Sequence, residues 1–229
     1  MISVIIPTLN ADAGLAETLS ALVPAAVAGL IREAIVVDGG SSDRTAAIAD
    51  MAGADLVRID GGRGGQLAAG AARARSPWLL FLHADTVLEA GWEREASTFM
   101  HRVDSGATPA AAATFRFALD DRGLKPRLLE RLVALRCAAL RLPYGDQGLL
   151  IPKRLYDEVG GYRPLPLMED VDLVRRLGRN RLAMLHARAV TSAERFRREG
   201  YVRRSSRNLI CLALYTLRVP AHVISRIYG

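Results

Sequence analysis

The feature that most constrains the fold is an alternation of short apolar runs with helical patterns over the first 90 residues. ISVII, EAIVV, ADLVRI and PWLLFLH have the length and aliphatic composition of buried strands. Helical spacing lies between them, first from about Asp12 to Ala28, then within GGSSDRTAAIADMAG, and again after the glycine-rich loop GGRGGQ. Strands that alternate with helices predict βαβ units, and therefore a parallel sheet with helices on both faces.

The second half of the chain is less regular. AAAATFRFAL predicts a further strand, PRLLERLVALRCAALRL a long amphipathic helix, and the chain from about Glu199 onward an amphipathic helical region. With 229 residues and no internal repeat or linker, the chain is expected to form one α/β domain with an appended C-terminal helical region.

Positive charge is concentrated at the C-terminal end. Residues 171–229 contain 13 Arg and 3 acids, a net charge of +10, whereas the first 170 residues have a net charge of −3. Such a basic segment fits nucleic acid, an anionic membrane surface or a phosphorylated substrate. Because the segment has no recognised nucleic-acid motif, we expect no nucleic-acid partner.

The C-terminal helix has two interpretations. Arg203, Arg204 and Arg207 precede an apolar run, so the helix could lie on an anionic bilayer as a peripheral membrane contact. The favoured alternative is that its apolar face packs on the sheet or on another subunit, which would form a homodimer.

The cysteines and the apolar runs predict a compartment. Cys137 and Cys211 lie far apart without metal-ligand spacing, so we expect both to be reduced and packed. MISVIIP has no basic n-region, and no apolar stretch reaches the roughly 18 residues of a membrane span. The expected location is the cytoplasm, with the inner face of the membrane as the alternative.

Polar side chains follow three of the predicted strands. Thr8–Asn10 come after the first strand, Asp38 after the second and His83–Asp85 after the fourth. In an open parallel sheet, ligands bind in the crevice beyond the carboxyl ends of the strands. An Asp after one strand is often only a helix cap, but three polar features on one edge favour a shared site.

The glycine-rich segments match neither of the common phosphate-binding motifs. DGGSSDRT lacks the Lys of a P-loop, and no G-x-G-x-x-G follows the first strand. Gly39 and Gly40 would let the chain pass close to a flat ligand such as a base or ribose, with Asp38 accepting hydrogen bonds. Arg63 is a candidate diphosphate contact, and a solvated loop charge is the equally supported alternative.

The acidic cluster MEDVDL begins a predicted helix. The helix dipole alone favours acids at such a position. Adjacent residues point about 100° apart, so Glu169 and Asp170 are expected to differ in role. One would face the crevice, and the other would cap the helix or pair with an Arg. Asp172 lies on another face and is expected to have no catalytic role.

Four motifs in this order and spacing, SVIIPTLN, VVDGGSSDRT, FLHADT and MEDVDLVRRL, resemble the family 2 glycosyltransferases, which have the GT-A fold. GRGGQ, FLHADT, PYGDQG, PLMEDVDL and TSAERF also look like a small bacterial subgroup, the radical-SAM/selenodomain-associated transferase 2 or arsenosugar-biosynthesis glycosyltransferases. The resemblance covers nearly the whole chain. It implies a nucleotide-binding half (1–105), an acceptor half (106–198) and a C-terminal amphipathic helix (199–229).

The resemblance also implies a role for each matching residue. Asp85 matches the second acid of a D-x-D element, the usual ligand of Mg²⁺ or Mn²⁺. Asp170 matches the general base, with Glu169 beside it. The other positions would line the substrate pocket: Pro7, Thr8, Asn10 and Asp38 at the base and ribose, Arg63 near the diphosphate, and Gly145, Asp146 and Gln147 on the acceptor side.

These roles predict a metal-dependent, inverting glycosyltransferase. It would move a sugar from a nucleoside diphosphate sugar, in this family most often a UDP sugar, to the hydroxyl of an acceptor that no motif identifies. A base takes the hydroxyl proton as the anomeric carbon becomes oxocarbenium-like. One base without a separate nucleophile implies single displacement with inversion.

Two other functions remain open. A sugar-phosphate nucleotidyltransferase shares the sheet and the metal chemistry, but it would show a G-x-G-x-R-x-x-P-K-like loop that SVIIPTLNADAG lacks. A non-catalytic nucleotide-binding or membrane-associated scaffold is the second alternative. The joint presence of Asp38, Asp85 and Asp170 argues against it.

The sequence departs from the family pattern at three places. His83 occupies the position of the first D-x-D acid, and a ribose or indirect hydrogen bond is expected for it because Mg²⁺ prefers oxygen ligands. One carboxylate can suffice for Mg²⁺ when substrate phosphates and waters complete the shell, so the metal site is expected to assemble with the donor. Glu194 and Phe196 replace an Arg and a Trp of the subgroup, leaving Arg195, and Ala68 replaces an Asn.

Overall fold

The structure is a computed structural model that describes residues 1–109 and 111–228. Within these residues the strands are β1 (Ile2–Thr8), β2 (Ile31–Asp38), β3 (Asp55–Arg58), β4 (Trp78–Phe81), β5 (Thr86–Leu88), β6 (Ala112–Leu119), β7 (Leu149–Pro152) and β8 (Leu182–Thr191). The helices are α1 (Asp12–Val27), α2 (Thr45–Met51), α3 (Gly62–Arg73), α4 (Trp92–Asp104), α5 (Leu124–Leu140), α6 (Lys153–Glu158), α7 (Glu169–Leu177), α8 (Glu194–Glu199), α9 (Tyr201–Thr216) and α10 (Ala221–Tyr228). Two 3₁₀ turns span Gly145–Gln147 and Arg179–Arg181.

All eight of these strands form one mixed, mostly parallel sheet in the order β3-β2-β1-β4-β7-β6-β8-β5. The first four strands pair in parallel, which confirms the βαβ units predicted for this part of the chain. Strand β7 is antiparallel to β4 and β6, β6 is parallel to β8, and β5 pairs antiparallel with the end of β8.

Helices cover both faces of the sheet, as predicted. Ile2, Val4 and Ile6 of β1 pack into an apolar cluster that includes residues of α1 and α4, while Ile5 packs into a second cluster with α3, α6 and α7. This division follows from the two-residue period of a strand, which sends successive side chains to opposite faces. Because β1 is central, its residues contribute to both cores.

Strand β1 runs two residues further than the sequence suggests. The apolar run ISVII stops before Pro7, yet Pro7 lies within β1 and pairs with Val37. The amide of Ile2 points toward β2, so alternation turns the nitrogen of Pro7 toward β4. Strand β4 pairs with β1 only as far as Phe81, opposite Ile5, so no ladder bond is lost at the proline.

The glycine-rich segment GGRGG is the first turn of α3 rather than a loop. A Cβ on Gly64 would lie 2.2 Å from the Arg163 carbonyl oxygen, and one on Gly70 would lie 2.4 Å from Ile5 Cγ2. These glycines therefore let the helix lie directly against the chain and the sheet. Arg63 consequently extends from a helix, which fixes its base more firmly than a loop would.

The segment predicted as one amphipathic helix from Glu199 onward forms two helices, α9 and α10, and α8 ends at its first residue. Gly200 has φ = 88° and separates α8 from α9, and Pro220 precedes α10. Cys211 of α9 and Ile224 of α10 pack against the start of α7. Part of the apolar face of the tail therefore packs on the rest of the domain.

Both cysteines are buried and unpaired. None of the helices in residues 1–109 and 111–228 is long and apolar enough to cross a membrane. The division of the chain at 105/106 and 198/199 into functional parts stays a prediction.

Candidate active site

The three polar features predicted at strand ends lie on one edge of the sheet. Thr8 and Asp38 are opposite each other in the register of β1 and β2. The amide of Leu82, just after β4, donates to the Ile5 carbonyl at 3.0 Å, so the chain leading to His83 runs beside the end of β1. The loops after β1, β2 and β4 therefore border one crevice.

Asp38 is almost fully buried and its carboxylate is saturated by its own surroundings. Oδ1 accepts from the hydroxyls of Thr8 at 3.2 Å and Ser41 at 2.5 Å, and Oδ2 accepts from the amides of Gly40 at 3.3 Å and Ser41 at 3.0 Å. A carboxylate has about four such acceptor positions. Asp38 therefore shapes the loop, and a base or ribose that bonds to it must replace one of these donors. Ser41 was not predicted from the sequence, although S-S after D-G-G fits a side chain that closes such a turn.

Asn10 and Pro7 take different positions relative to this loop. Asn10 is exposed, with φ = 50°, and its Oδ1 accepts from the Ser42 amide at 2.9 Å, while its own amide donates to Ser41 Oγ at 2.8 Å. It therefore joins the loops after β1 and β2 at the rim of the crevice. Pro7 is buried within β1, and the chain becomes exposed two residues later, at Leu9.

Gln66, which the sequence did not single out, joins α3 to this edge. Its Nε2 donates to the carbonyls of Thr8 and Val37, both at 2.7 Å, and its side chain is buried. Gln66 lies three residues after Arg63, so both side chains extend from one face of α3. A glutamine inside an otherwise small-residue helix was the available sequence signal. Ala68, two residues further on, packs against the apolar cluster beneath α3.

Arg63 connects the loop after β4 to the start of α7. Its Nη2 lies 3.3 Å from His83 Nδ1, and its Nε lies 3.6 Å from Glu169 Oε1. A guanidinium has no acceptor, so Nδ1 of His83 must be unprotonated. Burial, together with the charges of Arg63 and Arg195, holds the pKa of His83 well below its usual value. His83 is therefore neutral, with its proton on Nε2.

The Nε2 side of His83 packs against Gly145. A Cβ on Gly145 would lie 2.7 Å from His83 Nε2 and 3.4 Å from Asp170 Oδ2. The Gly145 amide donates to Asp170 Oδ2 at 2.6 Å. The absence of a side chain at position 145 thus lets the imidazole and the carboxylate approach the same backbone atoms.

Glu169 and Asp170 take different partners at the start of α7. Glu169 is buried and faces Arg63, whereas Asp170 is partly exposed and its Oδ1 also accepts from the Val171 amide at 2.7 Å. Burial and the charge of Asp170 raise the pKa of Glu169 to about 7, against the opposing effect of Arg63. Asp172 is buried and binds Arg176 at 2.7 Å, so it stabilises the fold away from the crevice.

Asp146 lies between the two acidic elements. Its Oδ1 is buried and has no hydrogen-bond partner among the residues that the structure describes. Desolvation raises the pKa of Asp146 to about 6, an effect that Arg136 opposes and that the charges of Asp170 and Asp85 increase. Asp85, Asp146 and Asp170 are therefore electrostatically linked across the 3₁₀ turn.

Gln147 supports that turn from behind. It is 1% exposed, its Nε2 donates to the Phe115 carbonyl at 3.0 Å, and its Oε1 accepts from Cys137 Sγ at 3.2 Å. These contacts direct the side chain into the core beside β6. The side-chain amide therefore faces away from the crevice, and the acceptor-side role expected for Gln147 stays a prediction.

Asp85 is held through its backbone, which leaves its carboxylate available. Its carbonyl accepts from the Ser192 amide at 3.0 Å, and a Cβ on Gly14 of α1 would lie 3.0 Å from its Cα. Within residues 1–109 and 111–228 the carboxylate has no hydrogen bond or ion pair, and no group of three or more His, Cys, Asp or Glu is arranged to hold a metal. One free carboxylate fits a Mg²⁺ or Mn²⁺ ion that takes its remaining oxygens from a diphosphate and water.

The segment TSAERF contributes one charge to the site. Arg195 is exposed and lowers the pKa of His83, whereas Phe196 is buried and stacks on Tyr201 at 5.4 Å between ring centroids. Glu194 is exposed. Phe196 therefore has a packing role, and Arg195 is the residue of this segment whose positive charge reaches His83 in the crevice.

Tyr162, also missed from the sequence, borders the acidic residues. It lines a cavity of ≈ 10 Å³ together with His83, Gly145, Glu169 and Asp170. Burial raises the pKa of Tyr162 well above its usual value, and the charges of Asp170 and Glu169 act in the same direction. Its hydroxyl therefore stays protonated beside the two carboxylates.

The chain matches one family model and is similar to several solved structures. Residues 3–135 match the family model described as "Glycosyl transferase family 2", and no curated protein matches the chain. The fragment 1–349 of S. aureus TarS in complex with UDP-GlcNAc is 17% identical, with a TM-score of 0.63, and 99% of this chain and 70% of that fragment are covered. The chain spans 42% of a longer S. aureus TarS, at 18% identity and a TM-score of 0.60, with 99% of this chain covered. Glucosyl-3-phosphoglycerate synthase from Mycobacterium tuberculosis, in complex with Mn²⁺ and UDP-glucose, is 20% identical, with a TM-score of 0.64 and coverage of 96% and 80%. The chain thus shares the fold of these glycosyltransferases.

Proposed function

The chain belongs to glycosyl transferase family 2, and we propose that it transfers a sugar from a nucleoside diphosphate sugar to an acceptor hydroxyl. One observation carries the proposal: the free carboxylate of Asp85 and the partly exposed carboxylate of Asp170 flank the same 3₁₀ turn, where both act on Asp146. Asp85 would bind the metal that accompanies the donor diphosphate, and Asp170 would take the proton of the acceptor hydroxyl.

We assign the donor to the side of the crevice formed by β1, β2 and α3. The Thr8–Asp38 edge would hold the base and ribose, and Arg63 and Arg195 would meet the diphosphate. The Arg63 side chain is 43% exposed, so a ligand in the crevice can reach it beside His83 and Glu169. The complexes of TarS with UDP-GlcNAc and of the synthase with UDP-glucose support a UDP sugar as the donor.

A divalent cation fits beside Asp85, and the synthase complex with Mn²⁺ supports its presence. When bound, it would neutralise charge on the leaving diphosphate. The metal dependence is part of the proposal, because a single protein carboxylate leaves most of the coordination to the substrate.

Asp170 is assigned as the general base. Each of its oxygens accepts one backbone hydrogen bond, from Gly145 or Val171, and keeps a further acceptor position for the hydroxyl proton. In the proposed step the acceptor oxygen bonds to the anomeric carbon while the bond from that carbon to the diphosphate oxygen breaks. The electron pair leaves with the diphosphate and the proton moves to Asp170. One displacement inverts the anomeric configuration.

The narrower assignment to the radical-SAM-associated subgroup stays a hypothesis that rests on the sequence motifs. PYGDQG provides the turn that contacts Asp170, and TSAERF provides Arg195. The acceptor is open, and a screen of hydroxyl compounds is needed to identify it.

The experiment is a thermal-shift screen of UDP, GDP, CDP and dTDP sugars with and without Mn²⁺, followed by assays of nucleoside diphosphate release. We expect a UDP sugar to stabilise the protein more strongly with Mn²⁺, and Asp85→Asn to remove that metal-dependent part. Asp170→Asn should keep donor binding and lower turnover by about 10²–10⁴-fold. Asp50→Asn, on the exposed surface of α2, is the matched control.

Two results would contradict the proposal. The first is that none of the sugar nucleotides stabilises the protein in the presence of metal. The second is that the protein releases pyrophosphate from a nucleoside triphosphate and a sugar phosphate, which would identify a nucleotidyltransferase instead.

A further inference from the structure

Helix α5 buries one face and exposes a leucine stripe on the other. Its buried residues are Pro126, Val133 and Cys137, and the last two pack in one apolar cluster with residues of β6. The exposed stripe consists of Leu124, Leu128, Leu132 and Leu135, which are 55–89% exposed. Their spacing of four, four and three residues places them within about 80° of one another on an ideal helix, opposite the buried face. Single exposed leucines are ordinary on a protein surface, but an aligned stripe marks an interaction face.

Basic side chains border the leucine stripe. Lys125, Arg127 and Arg131 are exposed on α5. The helix contains one acid, Glu130, which is half-buried and bound to Arg127 at 2.6 Å. A helix that is apolar along its exposed ridge and positive along its sides matches a helix that lies in the plane of an anionic bilayer surface.

A cleft of ≈ 360 Å³ opens at the C-terminal end of α5, between α5, α7 and α9. Its walls are apolar and include Leu140 and Leu212, and three exposed arginines line it: Arg141, Arg175 and Arg179. Their guanidinium groups donate to neutral oxygens, such as Thr216 Oγ1 at 2.7 Å from Arg175 and the Leu182 carbonyl at 3.3 Å from Arg141. Among the described residues, these three arginines form no ion pair with an acid. The cleft therefore presents positive charge that the protein does not neutralise.

Unlike the arginines of the cleft, two arginines of α9 already bind an acidic side chain of the protein. The sequence places a possible membrane contact at Arg203, Arg204 and Arg207. Arg204 and Arg207 both bind Glu199, and Arg204 is buried. Both guanidinium groups are thus bound to one carboxylate within the domain, which offsets one of the two charges and shifts the candidate surface to α5 and the cleft.

We propose that the leucine stripe of α5 and the adjoining arginine-lined cleft dock the protein on a bilayer that contains anionic lipids. The leucines enter the boundary between headgroups and acyl chains, and Lys125, Arg131 and the cleft arginines bind lipid phosphates. Charge selects the bilayer over a second copy of the chain. A symmetric dimer through this face would bring identical positive side chains together, whereas lipid phosphates complement them.

Vesicle co-sedimentation tests the proposal without nucleotide or acceptor, so its result is independent of the proposed sugar transfer. The protein is mixed with vesicles of phosphatidylcholine, with and without phosphatidylglycerol. Each is measured at low salt and at salt high enough to shorten the Debye length to about 3 Å. We expect binding to the anionic vesicles, weaker at high salt, and much less binding to phosphatidylcholine alone.

Variants separate the apolar and the ionic parts of the surface. The double variant Leu128→Glu/Leu132→Glu should reduce binding at least about tenfold because two exposed apolar anchors are lost. Arg141→Gln and Arg179→Gln should each reduce binding about fivefold at low salt. Val27→Glu on α1, at a residue that is 84% exposed, and Arg58→Gln at the end of β3 are the matched controls. Circular dichroism verifies that each variant is folded.

The results distinguish an anionic bilayer from a second copy of the chain as the partner of the leucine stripe. Absence of binding to anionic vesicles at either salt overturns the proposal, as does equal binding by the wild type and the double leucine variant. A dimer in light scattering that dissociates in the double leucine variant, without vesicle binding, would assign the face to a second copy.

Discussion

Gln66 attaches α3 to the ends of β1 and β2, and we expect Gln66→Met to loosen this edge of the crevice. Methionine has nearly the same volume, so the change removes two hydrogen bonds without opening a large cavity. The Thr8 carbonyl keeps the Gly39 amide at 2.9 Å, and the Val37 carbonyl regains a donor when the Thr8 hydroxyl, 3.4 Å away, turns to it from Asp38. The cost is therefore close to the net value of a hydrogen bond, about 1 kcal/mol each. The resulting loss of about 2 kcal/mol should lower Tm by about 4–8 °C in a chain of this size.

Gln147→Met is the matched control, since Gln66 and Gln147 are the only glutamines in the chain and both are buried. Gln147 fixes the 3₁₀ turn Gly145–Gln147, on the predicted acceptor side, through its bond to the Phe115 carbonyl. Scanning fluorimetry measures Tm, and calorimetry measures UDP affinity in the presence of Mn²⁺. Both variants should lower Tm. Gln66→Met should weaken UDP binding about tenfold, and Gln147→Met should change it less than about twofold. Equal losses of UDP affinity, or a loss confined to Gln147→Met, would refute the assignment of the Thr8–Asp38 edge to the nucleotide.

Neighbouring glycines and one buried acid give two further tests. Gly64→Ala would place a Cβ 2.2 Å from the Arg163 carbonyl oxygen and should cost about 3 kcal/mol, whereas Gly65→Ala, 3.8 Å from its nearest neighbour, should be neutral or stabilise by about 0.5–1 kcal/mol. Urea denaturation measures both, and similar values for the two variants would contradict the close packing of α3. Burial raises the pKa of Glu169 to about 7 from 4.5, so the folded protein holds this proton more tightly than the unfolded chain and loses stability as pH rises from about 4.5 to 7. Tm measured across this pH range should fall less in Glu169→Gln than in wild type, while Glu17→Gln on exposed α1 should retain the wild-type slope.

The parallel half of the sheet is predictable from sequence because β1, β2 and β4 are continuous apolar runs that end in polar residues. The extent of β1 is not predictable in the same way. Proline interrupts a strand only where its missing amide would have bonded, and Pro7 points toward the end of a neighbour that stops at Phe81. That information is in the pairing of distant strands rather than in the local sequence.

The sequence also does not show which of the acidic side chains are free to bind a ligand. Asp38, Asp85 and Asp170 each stand at an element end in a similar local pattern. In the structure, Asp38 accepts four hydrogen bonds and Asp170 accepts two, while the Asp85 carboxylate accepts none from the described residues. The difference arises from loop conformation, because the turn at Gly40 and Ser41 folds back on Asp38 whereas the turn after β4 leads away from Asp85. Sequence can therefore nominate acids for a site, but their hydrogen-bond partners decide which of them can bind a ligand.

His83 gives a physical reason for the absence of the first D-x-D acid. Four carboxylates already influence one another in this region: Asp85, Asp146, Glu169 and Asp170. A fifth carboxylate at position 83 would compete for Arg63 and raise the pKa of its neighbours further. A neutral imidazole accepts a hydrogen bond from Arg63 and adds no charge, so Arg63 can also remain paired with Glu169. In this arrangement Nδ1 is occupied and Nε2 is protonated, which leaves His83 without a lone pair for a metal. The consequence for the proposed chemistry is a cation site with one protein ligand, whose affinity should rise steeply once a diphosphate supplies the missing oxygens.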